Sequence, residues 1–257
     1  MIRFLCLLIG LLMVSGRAQA DTTNQPALAG VESFQAACRA WDASLFAEAA
    51  GHFRTAITNE PTNITNHYWL AVAEFHRMLQ LRDQPTNAAA AAAALNQTIA
   101  ALDRALALSP GHAECCALLG TTYGMKIDGS LLQAIRFGPK VASNRNLAVE
   151  SGADNPRVQF LLGMCQFHTA RKPAAWREAL TTLTKAEALF TAEEKKTPTP
   201  LEPRWGHDTC LAFIGRVHEC LGERDLAAEF YRKALKLHPQ HHIAEAGLKR
   251  LGLEKDK

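Results

Sequence analysis

The chain has 257 residues, 48% of them apolar, 21% charged and only 7% aromatic, with a formal charge of +3. That apolar share is ordinary for a folded chain and excludes disorder as the default, while the near-neutral balance argues against a nucleic-acid partner. No P-loop, GxGxxG, HExxH, GxSxG or CxxC appears. The motifs therefore point to no catalytic residues, no cofactor and no metal.

At the N-terminus, Arg3 precedes an apolar run over 4–14, and Ala18, Gln19 and Ala20 supply small residues at a cleavage site. This predicts a signal peptide over 1–20, export to the periplasm or beyond, and a mature chain beginning at Asp21. The run is far shorter than the roughly 20 apolar residues of a spanning helix, so no membrane span is expected after cleavage. Removal of Arg3 and Arg17 lowers the formal charge from +3 to +1. Six cysteines remain, in a compartment that permits disulfides. Cys115 and Cys116 are adjacent, and Cys210 and Cys220 would sit about 15 Å apart on one helix at about 1.5 Å per residue. Buried free thiols are the better expectation. Residues 21–30 have no periodicity and read as a flexible lead.

From Val31 the chain reads as one helical domain to residue 257. A helix through Trp41 leads to a second in which Ala49, Phe53 and Ala56 recur at spacings of four and three before Pro61. The same spacing recurs at Thr98, Leu102 and Ala105 before Pro110, but with surplus residues near 82–96, including the alanine run 88–94 that favours a longer second helix. Leu119, Gly120 and Tyr123 open the next unit, followed by a surplus over 124–140 that suggests a loop and a helix kinked at Pro139. Asn155, Pro156 and Arg157 start a fourth unit, with Leu162 and Gly163 in phase and Ala179, Leu183 and Ala186 repeating the stripe. Residues 191–205 carry Pro198, Pro200 and Pro203 and read as an exposed loop.

The clearest unit is 208–239. Leu211, Ile214, Gly215 and His218 share one helical face, and Ala227, Tyr231 and Ala234 form a facing stripe that presses into the gap at Gly215. Gly222 and the turn after it separate the halves, with Asp225 placed to cap the second helix, and Pro239 ends that helix. A last amphipathic helix over 241–251 reads as a cap. His238, His241 and His242, like His67 and His76, read as solvated histidines rather than metal ligands; the spacing of nine between His67 and His76 is not the i, i+4 of a helical site. Asn63 and Asn96 match short glycosylation patterns that matter only in a eukaryotic secretory pathway.

The 208–239 pattern resembles the tetratricopeptide repeat (TPR), with its W-x2-L-G-x2-Y, A-x3-F, A and P positions, although Leu211 stands for the Trp and His218 for the Tyr. Residues 137–239, with Asn-Pro-Arg at 155–157 and Pro-Arg-Trp-Gly at 203–206, also look like exported bacterial TPR proteins of unassigned role. The resemblance implies an all-α, right-handed solenoid of about five hairpins plus a C-terminal cap helix. It also implies a concave face lined by each repeat's first helix. In register this face holds Phe34, Cys38, Trp41, Tyr68, Val72, Phe75, Ala117, Met125, Phe160, Met164 and Phe167, with Arg157 and Arg216 among its few charges. Either the groove is open and binds, or insertions and cap fill it with their own side chains. The expected function is a non-enzymatic scaffold in the cell envelope, binding a protein segment or apolar ligand. The alternative is an envelope enzyme, or a ligand-binding accessory of a transport system, with its site in the groove. Convergence there of Asp, Glu, His and Cys would separate the two.

Overall fold

The computed structural model describes residues 10–82, 85–127 and 129–253. Residues 1–9 of the expected signal peptide, and 83, 84 and 128 within two of the surplus segments, lie outside the described residues. Helices occupy α1 (Gly10–Ala40), α2 (Ala43–Asn59), α3 (Ile64–Arg82), α4 (Ala88–Leu108), α5 (Ala113–Ile127), α6 (Leu131–Gly152), α7 (Pro156–Thr169), α8 (Pro173–Glu194), α9 (His207–Cys220), α10 (Arg224–Leu237) and α11 (His242–Arg250). They pack as successive pairs, α1 with α2 through α9 with α10, and α11 closes the last pair. Among the described residues there is no strand, and no helix is long and apolar enough to cross a membrane.

Each pair is held by the stripes that the spacing marks. Ala49, Phe53, Leu102, Ala105, Ala179, Leu183, Ala186, Ala227, Tyr231 and Ala234 are all fully buried. Gly215 is required by close approach: a Cβ there would lie 2.8 Å from the Tyr231 ring and 3.2 Å from the Ala227 carbonyl. His218 replaces the usual aromatic without loss, since its ring stacks on Phe230 at 5.4 Å and its Nδ1 lies 2.6 Å from Glu223 Oε2. Glu223, not Asp225, is the N-cap of α10; Asp225 falls inside the first turn, where its charge suits the helix dipole. Asn155 caps α7 by accepting from Arg157 N at 2.9 Å and Val158 N at 3.2 Å, with Pro156 at the first helical position.

Two segments differ from their sequence reading. Residues 21–30 are part of α1 rather than a flexible lead, because Ala27, Gly30, Phe34 and Ala37 form one buried stripe at spacings of three, four and three. The segment 195–206 is exposed only to residue 200; residues 201–204 are half-buried, and Trp205 and Gly206 are buried. The six cysteines Cys38, Cys115, Cys116, Cys165, Cys210 and Cys220 are unpaired, and Cys220 is exposed.

Candidate functional site

The concave side is occupied by the chain itself. Trp205 drops from the 195–206 segment into it, and its indole N–H donates to the Tyr68 hydroxyl at 3.0 Å. Tyr68 donates in turn to Glu114 Oε2. The other Glu114 oxygen accepts from Asn155 Nδ2 at 2.7 Å and from Arg157 Nε at 2.8 Å. Arg157 then forks onto Glu193 through contacts of 2.9 and 2.6 Å, and Arg204 donates to the Glu193 carbonyl at 2.6 Å. Trp69 adds a donor to the Leu201 carbonyl at 2.8 Å, and Leu201 adopts a φ of +66° to present it. Gly206 follows at φ +100°, a left-handed N-cap that a side chain would strain. This network ties α3, α5, α7 and α8 to one loop.

The expected groove residues are therefore core. Tyr68, Phe75, Arg157, Phe160, Met164 and Phe167 are all buried. Arg216 is half-buried and lies over the Phe167 and Phe213 rings at 4.8 and 5.2 Å. Of that set Tyr68 lines one cavity with Asn63 and His112, and Phe34 and Trp41 line another, which sequence reasoning did not locate.

This cavity, of about 440 Å³, lies where the first helix meets the last ones. Trp41 ends α1 with φ +48°, an unfavourable value for a non-glycine residue, and stacks on His242 at 3.9 Å. Phe34, Cys38 and His76 form one wall, Phe190, Glu193 and Glu194 of α8 a second, and Asp208, Thr209, His238, His241 and His242 a third. His76, His238, His241 and His242, read as solvated, are thus wall residues, and His241 is only 2% exposed. The signal was in the sequence, as His238, His241 and His242 beside Pro239, but nothing local showed that α1 would cover them.

The electrostatics follow from burial and from Asp208. Burial favours the neutral acid at Asp208, yet its hydrogen bond to His238 and the neighbouring His241 hold the carboxyl at about 2. The Asp208 hydrogen bond, at 3.1 Å to Nδ1, raises the His238 pKa. Burial lowers His241, and it lowers His76 and His242 to about 4, so these rings are neutral. Burial and the charge of Asp208 push the Cys38 thiol up. Asp, Glu, His and Cys do converge here, but Cys38 is held as a thiol and not as the thiolate that nucleophilic chemistry needs.

No protein-family model matches the chain, and no curated protein sequence matches it. Solved structures do. The thermophilic TPR protein TTC0263 of Thermus thermophilus is 15% identical with a TM-score of 0.62, over 89% of this chain and 98% of that one. YrrB, a TPR protein with an unusual peptide-binding site, is 16% identical with a TM-score of 0.40, over 79% and 84% of the two chains. MamA is 15% identical with a TM-score of 0.38, over 91% and 100%. With the paired helices and the Gly215 crossing, the likeness to the Thermus protein establishes that this chain has the fold of a TPR protein, an all-α repeat solenoid.

Proposed function

We propose that the protein is an exported, non-enzymatic binding scaffold that holds the end of a partner's segment, or a small ligand of mixed character, in the cavity between α1 and α9 to α11. The observation that carries this reading is the cavity's composition: Phe34, Trp41 and Phe190 offer apolar surface opposite Asp208, His238 and His241. Pockets that bind small molecules pair a largely apolar wall with a few fixed polar groups in this way. A long peptide laid along the concave face is disfavoured, because Trp205 and Leu201 already take up its aromatic platform. The TPR fold supports a binding role in general. Export rests on Arg3, the apolar run and the small residues at 18–20. A chain starting at Asp21 keeps the whole buried stripe of α1.

The test is capture of partners from the native envelope fraction, followed by binding measurements on Trp41→Ala and His242→Ala. Both should weaken binding about tenfold or more with little change in melting temperature, since aromatic anchors dominate such sites. Full binding in both variants, together with loss in Leu131→Ser/Leu132→Ser, would move the site to the apolar edge of α6, where those residues are 75% and 79% exposed.

A further inference from the structure

We propose that Asp208, His238 and His241 form a binding site for a divalent transition metal of the zinc class, with its remaining coordination position open to the cavity. Each residue offers one donor atom, and the three donors lie within 4.8 Å of one another. His238 Nδ1 is 3.1 Å and His241 Nε2 is 3.9 Å from the same Asp208 oxygen. A tetrahedral ion with ligand bonds of about 2.0–2.1 Å separates its donors by about 3.3 Å, between these two distances. Two imidazoles and one carboxylate, with a fourth position left over, is a donor set suited to zinc and its neighbours.

The ligands come from three helix ends and not from one mobile loop. Asp208 lies in the first turn of α9, and its Oδ1 already accepts from Thr209 N at 2.7 Å, which leaves Oδ2 for a cation. His238 is the C-cap of α10 and His241 the N-cap of α11, and the turn between them is closed by His241 N donating to the His238 carbonyl at 3.1 Å. Proline at 239 stiffens that turn. His238 Nε2 is buried without a well-formed hydrogen bond, and the Arg39 carbonyl is close enough to act on the ring, as an outer partner of a ligating imidazole does. Coordination through His241 Nε2 moves the ring proton to Nδ1 and releases the contact from Ala244 N, which at 3.4 Å is already long. An ion pair between Asp208 and protonated His238 accounts for one of the two contacts. The second imidazole, 2% exposed, sets its Nε2 3.1 Å from the Thr209 hydroxyl and 3.9 Å from the same carboxylate, so binding a cation exchanges the hydroxyl contact for the ion. The site does not depend on what else the cavity holds.

The test uses untagged protein freed of metal with a chelator and then titrated with Zn2+ by calorimetry, with Co2+ as a coloured reporter of coordination. One equivalent per chain is expected, with visible bands of four-coordinate Co2+. Asp208→Asn and His238→Ala should each weaken Zn2+ by about 100-fold or more, beyond the effect of an outer-shell change. Cys220→Ser, the exposed thiol, should leave affinity within about threefold. Loss of uptake in Cys220→Ser, retention in His238→Ala, or failure to bind one equivalent overturns the proposal. If Asp208→Asn unfolds, His238→Gln with an unchanged circular dichroism spectrum decides between the same outcomes.

Discussion

The α9–α10 hairpin and the 195–206 segment beside it are made by different rules. In the hairpin every contact that matters joins residues within one repeat, so spacings of three and four residues already say that Gly215 meets Tyr231. The segment has no period. Its contacts run from Trp205 to Tyr68 and from Leu201 to Trp69, more than a hundred residues apart, and they depend on the solenoid having curled first. Local pattern thus specifies the repeat, and long-range hydrogen bonds specify what the repeat's concave side is for.

Breaking the long-range network should have the largest effect. Arg157→Ala leaves Glu114 buried and Glu193 half-buried with no counter-charge, and a cost of about 3–5 kcal/mol is expected from urea unfolding. A loss below about 1 kcal/mol would show that the loop is held by its tryptophans alone.

The hairpin side is tested by Gly215→Leu, where the first added carbon meets the Tyr231 ring and the Ala227 carbonyl. Overpacking of this kind costs about 1–3 kcal/mol, or several degrees in melting temperature for a chain of this size. An unchanged melting temperature would contradict the crossing.

Per ring and per pH unit, the smallest expected effect is acid sensitivity at the cavity. His76 and His242 have folded values of about 4, below their ordinary value, so the unfolded chain takes up protons first as pH falls. Stability should drop from about pH 6.5 towards 4, by about 1.4 kcal/mol per pH unit for each proton taken up. His238, raised by Asp208, acts in the opposite sense: its contribution is complete below the ordinary histidine value and fades as pH rises through its folded one. Three depressed rings, His76, His241 and His242, outweigh one raised ring. His76→Gln should flatten the slope by about one proton, measured by urea unfolding at pH 4.5, 5.5 and 6.5; an unaltered slope would show that His76 is not the group that titrates.

Much of the fold was legible because Ala, Gly and aromatic positions repeat in phase with Pro61, Pro110 and Pro239. The third repeat showed no second-helix stripe in the sequence, and the structure shows why. Asn144 sits opposite Gly120 where other repeats place an aromatic or a leucine, and the ring in that hairpin is Phe137, stacked on Tyr123 at 5.5 Å. The site was legible only in part. Repeat phase placed Phe34, Tyr68 and Phe160 on the concave side, but phase carries no information about a proline-bearing segment that turns inward to cover them. His238, His241 and Asp208 lie in different elements, and their shared carboxylate contact exists only once α10, the turn and α9 are assembled.

The stack of Trp41 on His242 has a consequence for how the molecule comes apart. Open repeat arrays are held by nearest neighbours, so their ends fray independently and folding propagates from any unit. Here one stacked ring pair joins residue 41, just past the first helix, to residue 242 at the start of the last one, 201 positions along the chain. Bringing such distant residues together adds a high-separation step to folding. The cavity at this seam exists only while both ends are in place.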